Sequence, residues 1–353
     1  MASQPHSKNK MEKNFRVAIL GVTGAVGREL LSILEQRKFP IAGIKLLASK
    51  KSAGQKVRFR GKDRVIEEAT SQSFRGIDLV LSSAGASVSR ELVPHAVKAG
   101  AVVVDNTSAF RMDPQVPLVV PEINPEDIAK HKGVIANPNC STIIMVVPLF
   151  PLHRRARIRR IVAATYQAAS GAGAKAMREL ESQSREILAG KAPTKEVFPY
   201  QIAFNLFSHN SPIKEGGYCE EEIKMMRETK KIFHDDSIEV VATTVRVPVF
   251  RAHSEALFVE CERPIPLDEV RLILSKAQGI RVVDEREKNY FPMPVEATGG
   301  DDILVGRIRK DPGKENAFAL FVSGDQLRKG AALNAVQIAE IWAGISKGEA
   351  ARR

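Results

Sequence analysis

The chain's strongest candidate for covalent chemistry is a cysteine in an unusual setting. Cys140 lies in Asn137-Pro138-Asn139-Cys140-Ser141-Thr142, just ahead of the apolar run Ile143-Ile144-Met145-Val146-Val147. Pro138 disfavours helix in the residue before it, Asn139 is of the type that caps a helix, and the apolar run is long enough to be a buried one. Cys140 is therefore expected in the first helical turn, where unpaired N–H groups and the positive dipole end favour a thiolate. An isolated free cysteine is most often a buried structural residue; this setting points to a nucleophile. Of the seven histidines, His253 has the most suggestive context. It lies between expected strands in Arg246-Val247-Pro248-Val249-Phe250-Arg251-Ala252-His253-Ser254-Glu255 and offers an acid/base, although a structural histidine would look the same.

A second set of residues suits a dinucleotide. Gly21, Gly24 and Gly27 form a G-x-x-G-x-x-G pattern between an apolar run at 16–20 and an expected helix at 28–37. Without side chains there, backbone N–H groups can approach a pyrophosphate at a helix N-terminus. The spacing alone also fits a merely tight turn. After the second expected strand, NAD sites usually place an acid for the ribose 2′-hydroxyl. This chain has Ala48-Ser49-Lys50-Lys51-Ser52-Ala53-Gly54 instead, with two cations, two hydroxyls and no acid. NADP is the expected cofactor. Together these features imply acyl-enzyme redox chemistry: a thiolate adds to a carbonyl, hydride passes between nicotinamide and thiohemiacetal, and the thioester is exchanged with another nucleophile.

The elements that must position these groups alternate in the first half. Strands are expected at 16–20, 44–48, 79–82, 101–105 and 133–136, and helices at 28–37 and 89–99, with Gly100 suited to a C-cap. That rhythm predicts an α/β fold with a Rossmann-type, doubly wound parallel sheet over roughly 14–139. The second half reads as α+β. It has strands at 160–166, 238–247, 255–261 and 316–322, a Gly-rich turn at Ser170-Gly171-Ala172-Gly173, and helices at 174–188 and 219–231. An apolar stretch at 198–207 suits either a homodimer contact or a satellite core. A final apolar helix at 327–345, bearing the only Trp, is expected to return to the first sheet.

Composition narrows the class. With 353 residues, 44% hydrophobic and 27% charged, the chain suits a soluble protein of two domains. The three cysteines, Cys140, Cys219 and Cys261, are too few and scattered for a disulfide framework or a Cys-rich metal site, so a reducing, cytoplasmic location is expected. No stretch has the length of a membrane span, and the polar residues 1–13, expected to be disordered, have no apolar signal core. The net charge of +12 peaks at 153–160, read as a solvated connection into the strand that follows. No aromatic interleaving or nucleic-acid motif accompanies it, so no nucleic-acid partner is expected; a basic field also gathers anionic small molecules.

Taken together, these motifs resemble the aspartate-semialdehyde dehydrogenase family over residues 15–345. The segments that carry the resemblance are GVTGAVG (21–27), LASKKSAG (47–54), DNTSAFRM (105–112), NPNCST (137–142), TYQAASGAG (165–173), EEEIK (220–224), RVPVFRAHSE (246–255) and GDQLRKGAALNAVQIAE (324–340). The resemblance implies Cys140 as nucleophile, His253 as acid/base and Gln167 as the residue orienting the acyl group. It implies Arg246 for the substrate α-carboxylate, Glu221 for the α-ammonium, and Arg111 with Lys224 for phosphate. Cofactor contacts fall on Gly21, Thr23, Gly24, Ala25, Val26, Gly27, Lys51, Ser52, Ser170 and Gly171. Gln326 joins them where many members carry Asn. The implied reaction is NADPH-dependent reductive dephosphorylation of L-4-aspartyl phosphate to L-aspartate 4-semialdehyde, toward lysine, threonine, methionine and diaminopimelate, without a metal. The implied organisation is a cofactor domain at 14–139 completed by helix 326–346, a catalytic and dimerisation domain at 140–325, and a homodimer or dimer of dimers. Two other readings remain. Reductases of N-acetylglutamyl phosphate or malonyl-CoA share the plan but give Glu221 no ammonium to pair. A non-catalytic NADP-binding regulator has no use for Cys140, Gln167, Arg246 and His253 together.

Overall fold

A computed structural model describes residues 14–345. The disorder expected of 1–13, and residue 346 of the expected final helix, lie outside the described residues. The first half forms β1 (Phe15–Leu20), α1 (Ala25–Gln36), β2 (Ile41–Ala48), β3 (Lys56–Phe59), β4 (Lys62–Glu68), β5 (Leu79–Ser82), α2 (Ala86–Lys98), β6 (Val102–Asp105) and β7 (Val134–Ala136). Its sheet runs β3-β4-β2-β1-β5-β6-β7 and is parallel except for the β3–β4 pair. β5 is buried throughout and β1 except at Arg16, which is why 17–20 and 79–81 read as unbroken apolar runs. The chain leaves β1 toward β2 on one side and toward β5 on the other, so the Gly-rich turn after β1 opens at the switch point where such sheets bind ligands.

The β3–β4 hairpin carries no apolar signal that could reveal it, since most of its residues are charged and exposed. α1 begins at Ala25 rather than at 28 because Gly24 takes the N-cap position, leaving Gly27 inside the helix. A Cβ on Gly27 would lie 2.3 Å from the Gly21 carbonyl oxygen, so the first turn of α1 packs on the end of β1 only without a side chain there.

The second half contains α3 (Cys140–Ala156), β8 (Ile158–Gln167), α4 (Ala174–Leu188), β9 (Phe207–Ser208), α5 (Glu220–Phe233), β10 (Glu239–Arg246), β11 (His253–Cys261), α6 (Leu267–Lys276), β12 (Ile280–Val282), α7 (Pro294–Ala297), β13 (Ile303–Lys310) and β14 (Ala317–Gly324). Its mixed sheet runs β12-β13-β14-β11-β8-β10-β9, and α3 packs into the largest apolar core with residues of β8, β10 and β11. The basic segment at 153–160 is not a long connection. His153, Arg154 and Arg155 occupy the last turn of α3, where cations suit the negative dipole end, and Arg157 alone links that helix to β8 at a φ of 52°. The 198–207 stretch divides. Phe198, Ile202 and Ala203 form a satellite core with α4, while Tyr200, Phe204 and Leu206 are exposed.

The chain ends in a five-residue π-helix at Arg328–Ala332 followed by α8 (Leu333–Trp342). Leu333, Val336 and Ile338 of α8 are fully buried in the core of the first sheet, each worth roughly 1.5–3 kcal/mol of burial. Gly27→Ala is expected to lower stability by about 1–3 kcal/mol, as overpacking does, and to weaken dinucleotide binding. Gly43→Ala, whose Cβ would meet nothing closer than Arg16 Cγ at 4.0 Å, should leave both unchanged. Thermal denaturation and a dinucleotide titration of the two variants check this, and equal behaviour would remove the packing argument.

Candidate active site

α3 starts where Asn139 leaves helical geometry, at φ −61° and ψ 145°. Its Oδ1 accepts hydrogen bonds from Ser141 N (3.0 Å) and Thr142 N (3.2 Å), satisfying two N–H groups that a helix start leaves open. Cys140 is the first helical residue and is half-buried. The expected thiolate is not what its surroundings favour. Burial pushes the thiol up from 9.0 to about 12, Glu221 adds to the rise, and Arg111, Arg246 and the Ser141 N–H oppose it without prevailing. That rise corresponds to roughly 4 kcal/mol, whereas a helix terminus offers only about 0.3–1 kcal/mol.

Sheet register brings three further side chains to one edge. Arg246 ends β10 opposite Gln167, which ends the parallel strand β8. His253 opens the antiparallel neighbour β11. Gln167 is buried and donates from Nε2 to Ser141 Oγ at 2.9 Å, one residue beyond Cys140. The fully buried His253 accepts the Ala168 N–H at Nδ1 (3.0 Å). A backbone N–H can only donate, so the neutral ring carries its proton on Nε2, which has no hydrogen-bond partner. Burial first, then Arg246 and His209, hold this histidine well below its usual pKa. It stands as a neutral donor. Arg246 is also buried. Its Nη1 donates to Ala168 O (2.7 Å), its Nη2 faces His209 Nε2 (3.0 Å), its guanidinium lies 5.7 Å from the Phe198 ring centre, and its Nε is unpartnered. Gly171 leaves room for this pair: a Cβ there would lie 3.0 Å from Arg246 Nη1 and 3.1 Å from His253 Nε2.

α5 supplies the acids. Glu221 Oε1 accepts from Asn139 Nδ2 (2.6 Å), and its Oε2 lies 3.3 Å from Lys224 Nζ. Burial would raise this carboxyl, but Lys224, His209 and the Asn139 amide outweigh it and hold it below the usual range. Glu228, which the sequence reading did not single out, accepts Arg111 Nη1 (3.0 Å) and Asn139 N (2.6 Å). It lies seven residues beyond Glu221, hence on the same helical face, and that spacing was the available signal. Arg111 also donates to Asn137 O (2.9 Å) and Asn106 O (2.8 Å), so two of its five N–H groups remain for a ligand. Gly330, also missed, backs Cys140: a Cβ there would sit 3.1 Å from Cys140 Cβ.

Two cavities adjoin these groups. One, of about 360 Å³, is lined by Cys140 and Arg111 together with Gly24, Ala25, Val26, Ser170, Gly171 and Gln326. Gln326 donates to Ser170 Oγ and accepts Ala252 N (2.9 Å), which leaves one amide N–H uncommitted. The other, of about 500 Å³, is lined by Gly21, Thr23, Gly24, Ser49 and Lys50. Lys51, Ser52 and Lys224 are not among the residues lining either cavity. Glu68 and Glu91 do line the second, an acidic element invisible in the loop sequence because β4 brings Glu68 beside Ala48. A Cβ on Gly21 would lie 2.8 Å from Ala84 N, so the turn after β1 packs on residues 83–84 only without a side chain there. Gly21 and Gly24 line the second cavity just ahead of α1, a cradle that fits a pyrophosphate.

Known proteins match this arrangement. Residues 16–131 match the family model described as semialdehyde dehydrogenase, NAD binding domain, and residues 149–329 match semialdehyde dehydrogenase, dimerisation domain. An aspartate-semialdehyde dehydrogenase of Synechocystis sp. is 57% identical over 331 residues, covering 94% of this chain and 98% of that protein. The crystal structure of aspartate semialdehyde dehydrogenase II of Vibrio cholerae complexed with ASA superposes with a TM-score of 0.92 at 44% identity, covering 94% of this chain and 99% of that one. The Candida albicans enzyme with NADP gives 0.72 at 26% identity, covering 95% of this chain and 100% of that one. Matched across both halves and more than half identical to a relative over nearly its whole length, the chain belongs to the aspartate-semialdehyde dehydrogenase family.

Proposed function

We propose that the protein reduces L-4-aspartyl phosphate to L-aspartate 4-semialdehyde with NADPH, releasing phosphate, through an acyl thioester on Cys140 in the biosynthesis of lysine, threonine, methionine and diaminopimelate. The observation that carries this reading is the electrostatic setting of Cys140. Glu221 raises its pKa while Arg111 and Arg246 lower it, in a cavity that the dinucleotide turn also lines. Arg246 grips the α-carboxylate, Glu221 the α-ammonium, and Arg111 with Lys224 the phosphate. Gly21, Thr23, Gly24, Ala25, Val26, Gly27, Lys51, Ser52, Ser170, Gly171 and Gln326 hold the cofactor, which supplies the hydride when bound.

Glu221 gives substrate binding a second effect. An α-ammonium paired with Glu221 cancels the negative field that disfavours a thiolate, so the intended substrate helps ionise its own nucleophile. Sulfur attacks the acyl carbon, the bond to the phosphate oxygen breaks, and the thiol proton leaves with the phosphate. In the reductive step His253 Nε2–H donates to the oxygen on which negative charge develops, and Gln167 holds the acyl group. Collapse to the aldehyde returns the thiol, with one proton consumed overall. A free ammonium as trigger favours this substrate over an N-acetylated or CoA-linked one.

The same reading assigns 14–139 with 326–346 to the cofactor and 140–325 to catalysis and dimerisation, in the cytoplasm; no helix among the described residues is long and apolar enough to cross a membrane. A dimer, or dimer of dimers, is supported by the outer face of the second sheet. Val162, Tyr166 and Phe258 stand exposed there, with Val162 and Phe258 directly opposite each other on β8 and β11.

Cys140→Ala should abolish phosphate-dependent reduction of NADP by aspartate semialdehyde while NADP binding persists, and mass spectrometry should find an aspartyl adduct on the wild type; turnover in the variant would sink the nucleophile assignment. Neutralising Lys50 and Lys51 together should weaken NADP about tenfold more than NAD, the scale of one charge-assisted bond. Equal losses would pass ribose recognition to Glu68 and Glu91. Finally, with a thiol pKa near 12, Cys140 alkylation by a small neutral reagent should climb with pH through pH 10 without a plateau. Glu221→Gln removes a group that raises this pKa, so the curve should move to lower pH. A plateau near pH 8 in the wild type, or no shift in the variant, would reject this account of the thiol.

A further inference from the structure

His209 belongs to none of the roles assigned above, yet it touches the guanidinium of Arg246. It follows β9, and its backbone N–H donates to Thr244 O (2.9 Å), which ties it to the edge of β10. Its two ring nitrogens both face donors: Nε2 lies 3.0 Å from Arg246 Nη2, and Nδ1 lies 3.2 Å from Ser211 N. Guanidinium and backbone N–H groups can only donate, whereas a neutral imidazole accepts at one nitrogen and donates at the other. The two bonds therefore cannot both be made at once. A doubly protonated ring could make neither. Burial, then Arg246 and Lys224, work against that cation while Glu221 and Glu222 favour it, and the balance lowers the pKa.

From this geometry we infer that His209 is a positioning and specificity residue for the substrate's amino-acid head group, acting by a change of tautomer. With the proton on Nδ1, Nε2 accepts from Arg246 and holds its fork. Once a carboxylate takes the Arg246 N–H groups, the proton moves to Nε2, which donates to a carboxylate oxygen while Nδ1 accepts the Ser211 N–H. One ring thus serves the arginine before the substrate arrives and the carboxylate afterwards. The Ser211 bond also couples the exchange to α5, because Ser211 Oγ accepts the Glu221 N–H (3.2 Å). The inference rests on Arg246 being the carboxylate receptor.

The groups facing His209 are Arg246 on β10, His253 on β11, and Glu221, Glu222 and Lys224 on α5. Protonating His209 as pH falls through its lowered pKa leaves neither ring nitrogen able to accept, so the bound form loses its Ser211 N–H bond and KM for the semialdehyde should rise at the acid end in the wild type. His209→Gln, whose amide can both accept and donate, should keep KM within about threefold and lose that acid rise. His209→Ala should raise KM about tenfold or more, with kcat much less affected and the KM for NADP unchanged. Nitrogen-15 spectra of labelled histidine should report the tautomer directly, with the His209 proton on Nδ1 in the protein alone and on Nε2 after aspartate semialdehyde is added to Cys140→Ala. Arg246→Leu separates the failures. If it leaves KM unchanged, the carboxylate assignment itself is wrong. If it raises KM while His209→Ala does not, or if the tautomer is the same with and without the semialdehyde, only the inference about His209 is overturned.

Discussion

The Asn139 side chain and backbone together hold the site at its centre. Its Oδ1 caps α3, its Nδ2 reaches Glu221, and its own N–H reaches Glu228. A helix start must satisfy several N–H groups, and a buried carboxylate must find donors. One residue meets both demands. The helix that begins at Cys140 and the acids of α5 are therefore fixed relative to each other by the same three groups that the chain needs for stability. Arg111 extends this junction by pairing with Glu228 and donating to the Asn137 carbonyl at the end of the first sheet.

The second constraint is strand register. Parallel pairing of β8 with β10 sets Gln167 beside Arg246, and β11 adds His253 at the same edge. A slip of one residue would turn all of these side chains to the opposite face. The Ala168 backbone then serves two of them at once, its N–H donating to His253 and its carbonyl accepting from Arg246. Two residues beyond His253 on the same strand face, Glu255 is fully buried with both carboxylate oxygens unpartnered, and burial pushes its carboxyl well above the usual range. Along this face the neutral imidazole accepts at Nδ1 and keeps a free N–H at Nε2, and burial pushes the Glu255 carboxyl toward its neutral form, as expected where water is excluded.

Burial also explains why a cysteine at a helix start remains a thiol. The dipole and two guanidiniums act on Cys140, but desolvation and the Glu221 carboxylate act more strongly in the other direction. Such a resting thiol is protected from adventitious alkylation and oxidation, because the thiolate is the reactive form. Reactivity then depends on a ligand that changes the local field.

Much of this protein was legible in the residue string. Unbroken apolar strands alternating with helices marked the first sheet; the α4 boundaries, the Asn139 cap and the return of the last helix followed from local rules. The segments around Cys140, His253 and the glycines marked the chemistry because they recur in family order. The β3–β4 hairpin stayed hidden since its exposed, charged residues carry no burial signal, and with it stayed Glu68 at the cavity lined by Gly21 and Gly24. Nothing in the local sequence marked Glu228 or His209, which α5 and the segment after β9 place against Arg111 and Arg246. The protonation state of Cys140 was out of reach for the same reason. Local sequence can announce a helix dipole, but desolvation and the fields of Glu221, Arg111 and Arg246 arise between residues distant along the chain, so only the tertiary structure could decide which prevailed.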